Sequence, residues 1–205
     1  MKVASLVLFF SLRAIASPLN ELSLNQDLYN AKLRSTAALG QIKIFENELK
    51  RNQELFAINQ VLIKADDKAI SEEEGKKSEL TVVVTQFNLE EAKALYDAAK
   101  ADEKIYEVYL STQTDEQNKI KQIKEYGLAM WTARNRAARA AVSKNEAELN
   151  FEKLIYIMNS KLFEQNAASK QRLLLAARDF KKAEATLQRA KDFERVTAEA
   201  MKKFE

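Results

Sequence analysis

The side chains that most often carry out chemistry in proteins are scarce in this sequence. It has no cysteine and no histidine, so a disulfide framework, a thiol nucleophile, an imidazole base and a zinc site of ordinary type are excluded. Its three glycines stand apart from one another, which excludes a glycine-rich loop around a phosphate. The sequence therefore predicts no catalytic residue, and we interpret it as that of a non-enzyme.

Carboxylates occur side by side at Asp66–Asp67, at 72–74 and at Asp102–Glu103. Neighbouring residues on a helix point in different directions, so these groups do not converge on one site. Weak calcium binding by residues 72–74 is the alternative, but the ligand spacing of an EF-hand loop is absent. No metal ligand and no cofactor is predicted.

One segment has a marked excess of positive charge, because only Glu125 opposes seven cations between residues 119 and 144. These are Lys119, Lys121, Lys124, Arg134, Arg136, Arg139 and Lys144. Such a face is suited to an acidic partner, a sulfated glycan or an anionic lipid surface. We favour pairing within the chain, with acidic residues at 72–74 or 90–91 of a neighbouring helix. Trp131, at helical spacing, is expected in the core.

The charge balance excludes one class of partner. The formal net charge is +3 over 205 residues, and nucleic-acid binding needs a larger, clustered excess of cations. A small-molecule substrate is not indicated either, and a membrane surface is possible but not favoured. The expected partners are copies of this chain or related helical proteins.

The N-terminus has the layout of a secretory signal peptide: Lys2, an apolar run over residues 3–12, and small residues at Ala14 and Ala16. This pattern predicts cleavage before Ser17. An ordinary N-terminal helix is the alternative. The apolar run is shorter than the roughly 20 residues that a membrane anchor needs. We expect a secreted protein, outside the cell or in the lumen of the secretory pathway (the periplasm in a bacterium).

Scarcity of turn residues defines the fold class. The chain has three glycines and one proline, against roughly 14 and 10 at average usage. Few turns over this length mean long helices. The sequence predicts an all-α, elongated antiparallel bundle or coiled coil, with residues 17–205 as one domain and helices over about 19–70, 78–110, 116–142 and 145–204. Residues 78–142 are alternatively one helix.

Apolar residues recur at alternating spacings of three and four, which predicts helix-packing seams. One seam includes Phe45, Leu49, Phe56 and Ile63, and the other includes Leu173, Phe180 and Leu187. Ile44, Leu55, Ile58 and Leu62 widen the first stripe, so we expect that helix to contact two neighbours. Asn52 and Asn59 interrupt the seam, and we place both at its solvent edge rather than in a register-setting role.

Export, heptads and missing chemistry favour a structural protein that assembles with itself or with sister proteins. In broad organisation the sequence resembles exported coiled-coil matrix proteins of secretory granules, a resemblance of composition and heptads that assigns no residue roles. The alternatives are a secreted helical-bundle binding protein, such as a surface antigen or adhesin, and an exchangeable lipid-binding bundle whose amphipathic helices open onto lipid.

Overall fold

Four long helices form the part of the chain that the computed structural model describes, which is residues 18–64, 71–112 and 115–204. Helix α1 spans Pro18–Lys64, α2 Glu72–Leu110, α3 Glu116–Glu164 and α4 Lys170–Met201. The predicted all-α elongated antiparallel bundle is confirmed. Helix α3 has 49 residues, about 74 Å at the helical rise of 1.5 Å per residue. The predicted signal peptide and residues 65–70 lie outside the described residues.

The helices pack in chain order, and along their length the described helices pack only against their sequence neighbours. Cross-helix pairs show the antiparallel directions: Arg34 of α1 meets Asp102 of α2, and Glu46 meets Lys93. A side-chain ion pair between Arg172 and Glu73 links α4 to α2 at one end. The bundle is therefore an open row in which α2 and α3 have two packed faces and the outer helices have one.

The predicted heptad of α1 faces α2. Ile42, Leu89 and Ala92 form a buried cluster, against which Phe45 and Leu49 pack. Asn52 corrects the prediction, because its Nδ2 donates to Oγ1 of Thr85 at 2.9 Å in a partly buried position. A buried amide needs a partner, so this bond across the interface fixes the register of α1 on α2.

Small residues let α2 and α3 approach closely. Lys144 of α3 donates to Glu91 of α2, and the same faces continue at intervals of three and four along both helices. The buried residues on them are alanines: Ala94, Ala98, Ala101, Ala133, Ala137 and Ala140. Alanine loses no side-chain entropy on burial and has high helix propensity. Because these side chains are small, the layer of side chains between α2 and α3 is thin, which suits long straight helices.

Helix α4 packs on α3 along the second predicted seam. Phe180 stacks on Tyr156 with ring centroids 5.9 Å apart, and Leu187 is buried. Farther along, Nδ2 of Asn135 donates to Oγ1 of Thr197 at 3.0 Å. Aromatic, aliphatic and polar contacts thus follow one another along this interface.

The start of α2 differs from the prediction, because the helix begins at Glu72 rather than near residue 78. Ser71 caps it: the Ser71 Oγ accepts from the Glu74 N–H, and Glu74 Oε2 accepts from the Ser71 N–H at 2.8 Å. This reciprocal bond lowers the pKa of Glu74. Gly75 lies inside α2, where an added Cβ would be 2.5 Å from Ile63 Cδ1. The capping box begins the helix early enough for glycine to serve close packing.

The break predicted between residues 142 and 145 is absent, because α3 continues to Glu164. The chain turns instead after Gln165. Asn166 has a φ of 55°, Ala167 N–H bonds Leu162 O, and Asn166 N–H bonds Phe163 O, which is a Schellman motif. Ser169 then caps α4. The other junction, after Leu110, is a true break, so the region 78–142 belongs to two helices.

Candidate functional site

The seven cations between residues 119 and 144 do not form one free surface. Arg136 pairs with Asp97 of α2 at 2.7 Å, Lys144 with Glu91 of α2 at 3.5 Å, and Arg139 with Glu194 of α4 at 3.3 Å. These three cations therefore point to both neighbours of α3. Such exposed pairs contribute little to stability, typically less than about 1 kcal/mol each, but they neutralise the charge locally.

The remaining four cations lie towards the start of α3. Lys119 Nζ donates to the Ser111 carbonyl oxygen at the α2–α3 junction, and the Arg134 guanidinium lies 4.8 Å from the centroid of the half-buried Trp131 ring. Lys121 and Lys124 are exposed, without an ion pair in the described ranges. What is left without an ion pair at this end of α3 is thus a pair of neighbouring lysines three residues apart, rather than a continuous basic face.

The residues of the predicted seams lie inside the row, where they join its own helices. Phe45, Leu49, Phe56, Ile63, Leu173 and Phe180 are half-buried, and Leu187 is buried. These side chains hold α1 to α2 and α4 to α3. In this conformation these seams therefore join helices of the same chain.

Glu103 is the charged residue that the described part of the chain buries most deeply, with 5% exposed. Lys100 Nζ lies 2.8 Å from its Oε2, and Oε1 has no hydrogen-bond partner. Burial acts to raise the pKa of Glu103, but hydrogen bonds from Lys100 and Ser35 and the charges of Lys100 and Lys32 outweigh it, so the pKa is lowered. The carboxylate is ionised at neutral pH and is a structural partner for α1.

Other titratable groups are dispersed. Burial raises the pKa of Tyr106 and of Tyr109, and burial beside Asp179 and Glu148 raises the pKa of Glu152. Within the described ranges no three acidic side chains are placed to hold a metal ion, and no helix is long and apolar enough to cross a membrane.

Two grooves lie between neighbouring helices. Each has a volume of about 250 Å³. Phe45, Ala92, Leu95 and Glu91 are among the residues that line the first, and Leu80, Val83 and Phe151 are among those that line the second.

The most unusual surface of the molecule is on α1, on the side away from α2. Leu22, Leu33, Ile44 and Leu55 follow one another at intervals of eleven residues, and between 44% and 70% of each is exposed. Eleven residues are close to three helical turns, so these side chains form one straight line. Tyr29 and Ile58, also exposed, extend this line, and we call the six residues the α1 stripe.

The sequence pattern predicted that part of the α1 stripe is apolar, but it predicted a different neighbour for these residues. Ile44, Leu55 and Ile58 were expected to meet a second neighbour within the bundle, whereas α1 packs against α2 alone among the described helices. Leu22 and Leu33 continue the series of Ile44 and Leu55 at intervals of eleven residues. A repeat of eleven differs from the repeat of seven in a heptad seam, so this spacing distinguishes a separate stripe from a widened seam.

No family model, no curated protein and no solved structure matches this chain.

Proposed function

We propose that this protein is an exported structural protein whose long helices assemble with copies of itself or with related helical proteins. The observation that carries the proposal is the α1 stripe: six exposed apolar side chains that recur along α1 from Leu22 to Ile58 and that no other described helix covers. Extended exposed apolar faces mark interaction surfaces.

The rest of the molecule supports an assembly role over a catalytic one. Its chain has no cysteine or histidine, and its described acidic residues form no metal-binding group. The seams and ion pairs described above hold a stiff row of helices together, in which α1 is one of the two outer helices. Export rests on the signal-peptide pattern of residues 1–16 and is part of the proposal.

Sedimentation velocity of the purified protein, from about 1 to 100 µM, tests the assembly role. The sedimentation coefficient should rise with concentration, because association by one apolar helix face follows mass action. Anionic vesicles and calcium are added in separate runs. Assembly that proceeds without either addition supports the proposal.

Two outcomes contradict the proposed function. A strict monomer at every concentration that ignores vesicles favours a secreted binding protein. A monomer that floats with the vesicles and clears their turbidity favours the lipid-binding bundle. Export is tested separately, by expressing the chain in a secretion-competent host and sequencing the N-terminus of the released protein, which should begin at Ser17.

A further inference from the structure

We infer that the α1 stripe is the interface of a two-fold symmetric dimer in which α1 packs antiparallel against α1 of a second copy. This inference rests on the proposed assembly function and specifies its surface, partner and geometry. It depends on four observations: the exposure of the stripe, its self-complementary spacing, the small residues at its centre, and the position of its two charges.

The spacing of the stripe pairs it with itself. When two α1 helices run antiparallel about a point midway between Ala37 and Gly40, Leu22 lies opposite Leu55 of the second copy. Leu33 then lies opposite Ile44 of the second copy. Every apolar residue of the eleven-residue series thus meets another, as an isologous interface requires.

The centre of the stripe permits close approach. Thr36, Ala37 and Gly40 are exposed there, and a Cβ built on Gly40 meets nothing within 4 Å. Glycine inside a helix is less stable than alanine, and Gly75 and Gly127 each have a close packing contact that explains them. Gly40 has none among the described residues, and a helix crossing at this point supplies one.

Charge selects the antiparallel direction. Glu48 and Arg51 are the charged residues in line with the stripe, between Ile44 and Leu55. A parallel pair in register places each of them against its own copy, like charge against like charge, whereas the antiparallel pair places Glu48 opposite Tyr29 and Arg51 opposite Gln26. The antiparallel pair also continues the alternation of helix direction within the chain, so that eight helices form one row with opposed neighbouring dipoles.

The area is sufficient for a specific dimer. The stripe runs about 54 Å from Leu22 to Ile58. If each of its six side chains and their neighbours loses roughly 100 Å² of exposed surface, both copies together bury about 1,200 Å², which reaches the range of stable interfaces.

A matched pair of double variants tests the surface. Leu33→Asp with Ile44→Asp places four buried carboxylates in the dimer and should raise its dissociation constant by a factor on the order of 100. Leu174→Asp with Val196→Asp makes the same chemical change at exposed residues of α4 and should leave the dimer unchanged. Circular dichroism establishes that both variants are helical, and sedimentation equilibrium of the full chain measures the constants.

The absence of cysteine makes the direction of pairing testable by disulfide formation. Two copies of Ala37→Cys should cross-link under mild oxidation, because residue 37 lies beside the two-fold axis. Leu22→Cys alone should not, since its copies lie about 50 Å apart along the helix. An equal mixture of Leu22→Cys and Leu55→Cys should give a mixed dimer on a non-reducing gel.

Each contrary result contradicts a different part of the proposal. Assembly that survives Leu33→Asp with Ile44→Asp overturns this interface but leaves the assembly function standing, whereas a strictly monomeric wild type overturns both. Cross-linking of Leu22→Cys with itself overturns the antiparallel direction. If dimers form only after residues 1–16 are removed, that segment, and not a second copy, covers the stripe in the full chain. If the wild-type protein binds phosphatidylglycerol vesicles and forms no dimer, the α1 stripe is a lipid-binding surface.

Discussion

At the scale of single residues, the polar groups between the helices select one alignment of otherwise similar apolar seams. An apolar heptad tolerates a shift by seven residues, but a buried amide or carboxylate that loses its partner does not. Asn52 bonds Thr85, Asn135 bonds Thr197, and the hydrogen bond from Ser35 helps to lower the pKa of Glu103. Polar side chains of this kind, with a specific partner across the interface, therefore occur at two of the three interfaces, the one between α1 and α2 and the one between α3 and α4.

The ionised form of Glu103 should stabilise the fold in a pH-dependent way. Its pKa in the folded protein is below that of a free glutamate, so its contribution is present above the unfolded-state pKa and is lost as pH falls through the folded-state pKa. Glu103→Gln should reduce the free energy of unfolding by about 1 kcal/mol at pH 7, and this reduction should shrink as the pH falls through the folded-state pKa. Urea unfolding between pH 3 and pH 7 measures the difference.

Glu107 provides the control for this prediction. It pairs with Lys104 at 2.7 Å, three residues away, in the same geometry as Glu103 with Lys100, but its side chain is far more exposed. Glu107→Gln should change the free energy of unfolding by less than about 0.5 kcal/mol at any of these pH values. Equal effects of the two substitutions would show that burial of Glu103 has no energetic consequence.

The Thr197 hydroxyl should contribute through its bond to Asn135. Thr197 is 1% exposed, and Thr197→Val keeps its shape while it removes the acceptor, at a cost of about 1–2 kcal/mol. Thr186 is the control, since its Oγ1 donates only to Lys182 O of its own helix. Thermal unfolding should show a smaller loss for Thr186→Val, and a loss as large as that of Thr197→Val would contradict a cross-helix role.

At the scale of elements, helices and seams were predictable because periodicity is a local property of the sequence. The boundaries were less so. Ser143–Glu146 has the form of a capping box but lies inside α3, because a helix that is packed on two faces continues through such a motif. Ser71–Glu74 has the same form and does begin a helix. The tertiary contacts on either side, which are not local, decide between the two.

Because tertiary contacts are not local in sequence, the exposure of the α1 stripe was not predicted either. Sequence periodicity shows that Ile44 and Leu55 lie on an apolar face, but not whether a helix of the same chain covers that face. The order of packing answers this question, since a row in chain order leaves α1 at the edge. Among the described helices α1 therefore has one neighbour, where two were predicted.

The turn between α3 and α4 depends on Asn166. Its φ of 55° lies in the left-handed region, which costs a residue with a Cβ about 1 kcal/mol and glycine nothing. Asn166→Gly should therefore raise the midpoint of thermal unfolding slightly, and Asn166→Ala should lower it. Gln165→Ala, at a φ of −84°, should have little effect. Equal midpoints for the Gly and Ala variants of residue 166 would contradict the Schellman geometry.

At the scale of the whole molecule, an open row distributes stability unevenly. Helices α2 and α3 are packed on two faces, whereas α4 is packed on α3 alone and has three buried residues, Ala176, Leu187 and Thr197. Local opening requires the loss of fewer contacts at the edge than in the middle. We therefore expect α4 to exchange its amide hydrogens faster than α2 and α3, by a factor on the order of 10 or more.

Two leucines of equal exposure distinguish edge opening from global unfolding, because Leu187 and Leu89 are each 8% exposed. Leu187→Ala should remove about 2–4 kcal/mol from the stability of α4 and accelerate exchange there, while α2 keeps its protection. Leu89→Ala lies in the cluster that joins α1 to α2 and should accelerate exchange in both of those helices. Hydrogen exchange read by mass spectrometry of peptides from each helix separates the two patterns. Equal acceleration of all four helices by Leu187→Ala would mean that the row unfolds as one cooperative unit, because the loss of its edge would then be felt as far away as α1.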